Sequence, residues 1–288
     1  MLVTGATGGI GHRTVVRLLK EGFDIWAAAR TQDGCIGLRK EFGSRVQTLA
    51  FDLTDEEAVR SAAAKVLASG PLFGLVNNAG KALPGPLEYV PIEQFQRQLD
   101  INLTGQLRVT QALLPALRAG TFEWGNARII MMGSLDARIV GPLFGPYAAS
   151  KHGLVGLSDG LRSELRPAKI DVVLLEPGVI ATAIWRRGTS VLGDLQPDLP
   201  TDGGPYRSIM NFAQRYASKL GTRSQGFSQR PRISDSGGMI RVWAADHSRG
   251  CPGLLTYASR TSRRRASSRR TSLTYSTFEV RVGAWSVS

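Results

Sequence analysis

Two cysteines in 288 residues, Cys35 and Cys251, are too few and too far apart for a disulfide framework or a cysteine-rich metal site. His12, His152 and His247 are the only histidines and are equally scattered, so no metal is expected. Reduced thiols suit a cytosolic protein, and a cytoplasmic location is the expectation. No apolar run reaches the ~20 residues that a bilayer span needs. The N-terminus lacks the basic flank, apolar run and cleavage site of a secretory signal. Acids are scarce at the other end. Residues 226–288 hold 11 arginines against Asp235, Asp246 and Glu279, which accounts for +8 of the net +13. The main body, residues 1–225, carries only +5, so its charge gives no argument for nucleic acid.

What is present is glycine, 33 residues of it, and a 42% hydrophobic content broken into regular runs. LVTG (2–5), FDIWAAAR (23–30), RVQTLAFDLTD (45–55), FGLVNNAG (73–80), ARIIMMGS (127–134) and IDVVLLEPG (170–178) read as strands. Between them lie helical patterns. One follows residue 9 with Ile10, Val15, Leu18 and Leu19. Others cover 55–69 (opened by Asp55 as N-cap), 93–117 and 146–165. AGTFEWGNA (119–127) reads as a loop. Repeated βα units with strands apolar on both faces predict an α/β fold with a parallel sheet covered by helices. Ligands of such sheets bind beyond the carboxyl ends of the strands. The first strand is short, as if a few residues preceded it. Residues 1–225 are predicted to form the main domain, and 226–288 an atypical, basic, poorly ordered tail.

Several segments at strand ends carry chemistry. In TGATGGIG (4–11), Gly5 permits a tight turn, Gly9 a close backbone approach to a pyrophosphate, and Gly11 close helix packing; the helix N-terminus offers N–H groups to the anion. YAASK places Tyr147 and Lys151 four apart, on one helix face. A free phenol has a pKa of roughly 10. A neighbouring ammonium lowers it, so that the phenol can exchange a proton with a carbonyl or alcohol. Ser134 ends a strand, where its hydroxyl can position a substrate oxygen. After the second strand stands Ala29, then Arg30, where a selective NAD site would carry an acid. A guanidinium there pairs with a 2′-phosphate, unless it is a solvated strand end.

TGATGGIG, NNAG (77–80), Ser134, YAASK (147–151) and EPG (176–178) come in the order and spacing of the short-chain dehydrogenase/reductase family, and residues 1–185 resemble it. The glycine pattern also fits the extended, epimerase-containing branch. NNAG and the thirteen-residue step from Ser134 to Tyr147 resemble the simple oxidoreductase branch instead. The resemblance implies a Rossmann-type doubly wound sheet and a catalytic set of Asn102, Ser134, Tyr147 and Lys151, with Asn102 sustaining a water-linked proton relay to the lysine. It implies cofactor contacts from Gly5, Thr7, Gly9, Ile10, Gly11, Arg30, Asp52, Leu53, Asn78, Ala79, Gly80, Tyr147, Lys151, Pro177, Gly178, Ile180 and Thr182. NADP(H) is the favoured cofactor, with NAD(H) possible. A homodimer or homotetramer is implied by the family's habit of pairing its long helices.

The expected function is NAD(P)-dependent hydride transfer between nicotinamide and a carbonyl or secondary-alcohol substrate. Residues 183–225, with Ile184, Trp185, Val191, Leu192, Leu195, Ile209, Met210 and Phe212, are apolar enough for a hydrophobic substrate, or else cover the core. No membrane partner is expected. The tail departs from the family ending. SRTSRRRASSRRTS (259–272) is low-complexity text, read either as the product of a shifted reading frame or as a basic arm. It lacks the interleaved aromatics of a single-strand nucleic-acid binder. The alternatives to the enzyme are a non-catalytic cofactor-binding or scaffold protein with a tail-impaired pocket, and a basic-tail nucleic-acid binder.

Overall fold

A computed structural model describes residues 1–177, 204–211, 240–243 and 254–257. Six parallel strands form its centre: β1 (Leu2–Val3), β2 (Ile25–Ala29), β3 (Val46–Ala50), β4 (Gly74–Asn77), β5 (Ala127–Met132) and β6 (Ile170–Pro177). Two short strands from the arginine-rich end, β7 (Ile240–Trp243) and β8 (Leu254–Tyr257), extend the sheet antiparallel beyond β6. The order is β3-β2-β1-β4-β5-β6-β7-β8. Chain progression reverses between β1 and β4, and this is where a doubly wound sheet opens a ligand crevice.

The helices are α1 (Gly9–Lys20), α2 (Gln32–Phe42), α3 (Glu56–Ala68), α4 (Ile92–Leu99), α5 (Gly105–Trp124) and α6 (Gly145–Leu165). Strand alternation sorts them onto two faces. Val3, Ala27, Ala29 and Val76 pack with Val15 and Leu19 of α1 and Cys35 and Leu38 of α2. Leu2, Ala28, Leu75, Ile129 and Met131 pack with α3, α5 and α6 through Val59, Leu113, Leu117 and Leu154. Neighbouring residues of one strand thus enter different cores, which fits strands apolar on both faces. β1 has only two residues but pairs on both sides, with Trp26 and Ala27 and with Leu75 and Val76.

The structure departs from the sequence reading at three helices. α2 lies where none is predicted; Thr31 caps it, its hydroxyl accepting from Gly34 N at 3.3 Å. α5 continues to Trp124 through the stretch read as a loop. Gly120 permits this, because a Cβ there would stand 2.3 Å from the Leu72 carbonyl oxygen; the helix ends instead at Gly125, at φ +80°. The single helix expected over 93–117 is α4 and α5 joined by a π-helical turn, Asp100–Thr104. The Asp55 cap of α3 is as expected, accepting from Ala58 N at 3.0 Å.

Candidate active site

The ends of β1, β2, β3, β4, β5 and β6 bring the sequence-predicted residues to one edge of the sheet. Gly5, Thr7, Gly9, Ile10 and Gly11 form the β1–α1 turn; Arg30 follows β2, Asp52 and Leu53 follow β3, and Asn78, Ala79 and Gly80 follow β4. Ser134 follows β5, Pro177 closes β6, and Tyr147 and Lys151 come in from α6. Gly178, Ile180 and Thr182 lie outside the described residues, as does most of the apolar segment 183–225.

The glycine turn has the shape an anion needs. Gly5 sits at φ +64°, and a Cβ on Gly11 would lie 2.2 Å from the Gly5 carbonyl oxygen, so neither position accepts a side chain. Gly8, the N-cap of α1, offers no side-chain acceptor, and the first turn holds no acid. The α1 N–H groups and the positive end of its dipole are therefore left to a ligand, which fits a dinucleotide pyrophosphate. Buried Thr4 braces this turn: its hydroxyl accepts from Asn78 N at 2.9 Å and Ala79 N at 3.0 Å. The Asn78 amide donates to the Thr4 carbonyl at 2.9 Å, so its side chain holds the glycine turn in place. Asp52 accepts from Thr54 N at 2.9 Å and from its hydroxyl at 2.8 Å. Burial pushes the Asp52 carboxyl up, but the Thr54 hydrogen bonds and the Arg30 and Arg97 charges outweigh it and hold it below its ordinary value.

A second brace joins the strand extension 77–83 to the α4–α5 helix. Asn77 Nδ2 donates to Thr110 Oγ1 at 2.8 Å, and Gln106 Nε2 donates to the Ala79 carbonyl. Asn102 accepts from Lys81 N and donates to the Lys81 carbonyl, both at 2.9 Å. Gln98 accepts from Leu83 N and donates to the Lys81 carbonyl, both at 2.7 Å. Alternate residues of an extended chain thus meet every fourth residue of a helix. The rises match, at about 6.6 Å for two extended residues and about 6 Å for four helical ones. The phases do not match on their own, because each four-residue step overshoots a helix turn by about 40°. The π turn absorbs one extra residue and returns the row to one face. Sequence reasoning found Asn102 in this row and missed Thr4, Gln98, Gln106 and Thr110. For the helix, the i, i+4 spacing of Gln98, Asn102, Gln106 and Thr110 was the available signal.

Asn102 also donates to Ser150 Oγ at 3.0 Å, tying the π turn to α6 one residue before Lys151. Lys151 is 4% exposed and donates to the Met132 carbonyl at 2.7 Å, with its ammonium 5.6 Å from the Tyr147 ring centroid. Burial lowers its pKa to about 8, against the attraction of Asp136. The expectation that Lys151 lowers the Tyr147 pKa does not describe this structure. Burial raises the phenol to about 12; a hydrogen bond with Ser134 pulls it down and the Asp136 carboxylate pushes it up. The Ser134 hydroxyl donates to Asp136 Oδ2 at 2.8 Å. Nearby, fully buried Glu176 is paired with Arg138, at 2.8 Å to Nε and 3.4 Å to Nη2. His152 bonds the Ala148 carbonyl at 2.9 Å from the exposed side of α6 and takes no part.

The family model for short chain dehydrogenase matches residues 1–190. The chain is 34% identical over 225 residues to the uncharacterized oxidoreductase YusZ of Bacillus subtilis (strain 168), covering 76% of this chain and 79% of that one. It is 35% identical over 223 residues to the NADPH-dependent 3-dehydrocapnine reductase of Ornithobacterium rhinotracheale, covering 76% and 78%. Among solved structures, the 3-ketoacyl-(acyl-carrier-protein) reductase of Brucella melitensis complexed with NADH is similar, with a TM-score of 0.61, 26% identity, and coverage of 77% of this chain and 91% of that one. A strand-ending glycine turn, a parallel sheet with its switch point at β1 and β4, and these likenesses make the chain a member of the short-chain dehydrogenase family, an oxidoreductase that uses NAD(P)(H) on a CH–OH or carbonyl group.

Proposed function

We propose that this enzyme interconverts a secondary alcohol and its ketone with NADP(H) as the preferred cofactor, and that Tyr147, Lys151, Ser134 and Asn102 form its catalytic set. The observation that carries this reading is the meeting of Tyr147, Ser134 and buried Lys151 at the carboxyl edge of β5. The cofactor supplies or accepts the hydride. Tyr147 gives its phenolic proton to the carbonyl oxygen in reduction and takes it back in oxidation. The high phenol pKa in the free protein keeps that proton in place before substrate arrives. Lys151, held by the Met132 carbonyl, keeps positive charge behind the phenol and has two further N–H donors for ribose hydroxyls. Asn102 fixes Lys81 and Ser150, and with them the spacing between Gly80 and α6.

The preference for NADP(H) rests on exposed Arg30 directly after β2, whose last residue, Ala29, carries no carboxylate to repel a 2′-phosphate. Similarity to a reductase named as NADPH-dependent supports it. A hydrophobic carbonyl substrate is supported by exposed Ile139 and Val140, which follow the Ser134 turn. Tyr147→Phe tests the assignment. Turnover of any alcohol or ketone found active should fall by at least ~100-fold, the scale of general acid–base catalysis, while NADPH still quenches tryptophan fluorescence. Undiminished turnover would remove Tyr147 from the mechanism.

A further inference from the structure

Three cations gather beyond the ends of β2, β3 and β4. Arg30 follows β2 directly and is exposed. Arg97 is exposed in the last turn of α4. Lys81, on the segment that leaves β4, is half-buried. Among the described residues, no hydrogen bond or ion pair engages the Lys81 ammonium or either guanidinium. Glu93 and Asp100 flank Arg97 in the chain, and Asp33 follows Arg30 in the first turn of α2, yet none of these acids pairs with them.

The backbone bracing holds these groups together. Lys81 N and its carbonyl are bonded to Asn102, and the carbonyl also to Gln98, the residue after Arg97. The start of α5 lies against the segment after β3. A Cβ on Gly105 would stand 2.8 Å from Leu53 Cβ, and Arg108 Nη1 donates to the Leu53 carbonyl at 2.5 Å. Asp52, the residue before Leu53, feels the charges of both Arg30 and Arg97, and so does Lys81. Asp52 does not neutralise them, because its Oδ1 is spent on Thr54 and it forms no ion pair with the three. Burial lowers the Lys81 pKa most, and the two guanidinium charges lower it further. A part-dehydrated ammonium beside like charges is costly, and an anion among the three cations removes that cost.

We propose that Lys81 and Arg97 are specificity-determining residues that join Arg30 in holding the 2′-phosphate of NADP(H), from the β4 and α4 side of the crevice. This rests on the NADP(H) reading given above, which uses Arg30 alone. β2 and β4 flank β1 in the sheet, so Arg30 and Lys81 stand on either side of the glycine turn that suits the pyrophosphate. A phosphate monoester brings roughly two negative charges and three acceptor oxygens, enough for several cationic donors at once. NAD(H) presents a ribose hydroxyl instead and leaves the repulsion among the cations in place. The selectivity therefore comes from relief of like-charge repulsion as well as from new bonds.

The test needs no substrate. Calorimetry on the full chain compares 2′,5′-ADP with 5′-AMP, which differ only in the 2′-phosphate. The wild type should bind 2′,5′-ADP at least ~100-fold more tightly, the scale of several charge-assisted hydrogen bonds. In Lys81→Gln combined with Arg97→Gln, the ratio of the two affinities should fall by at least ~10-fold. Lys81→Arg combined with Arg97→Lys keeps both charges and should keep most of the ratio. A ratio that stays put in the neutral double variant overturns the proposal, whether neither ligand is weakened or both are weakened alike. So does a charge-keeping variant that loses as much as the neutral one. The NADP(H) reading fails separately. A wild type that binds the two ligands equally removes both readings, whereas a preference lost in Arg30→Gln but kept in the neutral double variant leaves the NADP(H) reading standing and sinks only this one.

Discussion

At the scale of single residues, the site is a set of local charges whose balance depends on burial. Lys151 has the clearest consequence. Its pKa of about 8 in the folded chain lies below the ordinary value of 10.5, so the unfolded chain binds more protons between those two values. Stability from this group therefore rises with pH across that window, and below pH 8 the fold carries the full cost of a buried ammonium, on the order of 3 kcal/mol. Lys151→Met removes the effect. The stability difference between variant and wild type, from urea midpoints, should shift in favour of the wild type as pH goes from 8 to 10.5; a pH-independent difference would show that the ammonium is not strained by burial. Arg30 is a second single-residue case. Arg30→Asp should lower the NADPH-to-NADH ratio of catalytic efficiencies by roughly 10–100-fold, since it replaces a pairing charge by a repelling one. A ratio that stays put would reject the role. The types and spacing of Tyr147, Lys151 and Ser134 were legible in the sequence because a helix turn and a strand end are local. The partners of these groups were not. Nothing in GSLDAR says that Asp136 takes the Ser134 proton, or that Lys151 reaches Met132.

At the scale of elements, the row of Gln98, Asn102, Gln106 and Thr110 against 77–83 decides how the cofactor-lining segment after β4 is held. Gln98 is fully buried and its side chain serves Leu83 N and the Lys81 carbonyl. Gln98→Leu strands a buried N–H, which costs about 1–3 kcal/mol. The expected outcome is a lower urea midpoint together with weaker NADPH binding, because Lys81 is shared with Asn102; a loss of stability with cofactor affinity unchanged would make Gln98 a core residue only. The helical text of 93–117 was legible from periodicity, but the π turn inside it was not. A π turn is chosen when the gain from keeping four side chains in register with a neighbouring strand exceeds the local cost, and the neighbour is about twenty residues away in the chain. The α5 ending was misread for a related reason: Gly120 looks like a breaker, while its use is to let Leu72 approach.

At the scale of the whole molecule, the sheet carries the site because its strand order puts the ends of β1 and β4 side by side. The ends of β5 and β6 are fastened by the Arg138–Glu176 pair. Arg138→Met leaves Glu176 charged and unpaired in the interior, at a cost of about 3–5 kcal/mol. Arg138→Met with Glu176→Leu should recover most of that loss, since an apolar pair needs no counter-charge; a double variant no more stable than the single one would assign the loss to packing instead. The sequence by itself determined the βα alternation, the glycine turn and the tyrosine–lysine face, because each is set by dihedral preference or periodicity within a few residues. Tertiary structure alone decided which carboxylate stands beside the serine, how far burial shifts the phenol and the ammonium, and where the helix row meets the strand, because desolvation and Coulomb attraction depend on distances between segments that chain order does not fix.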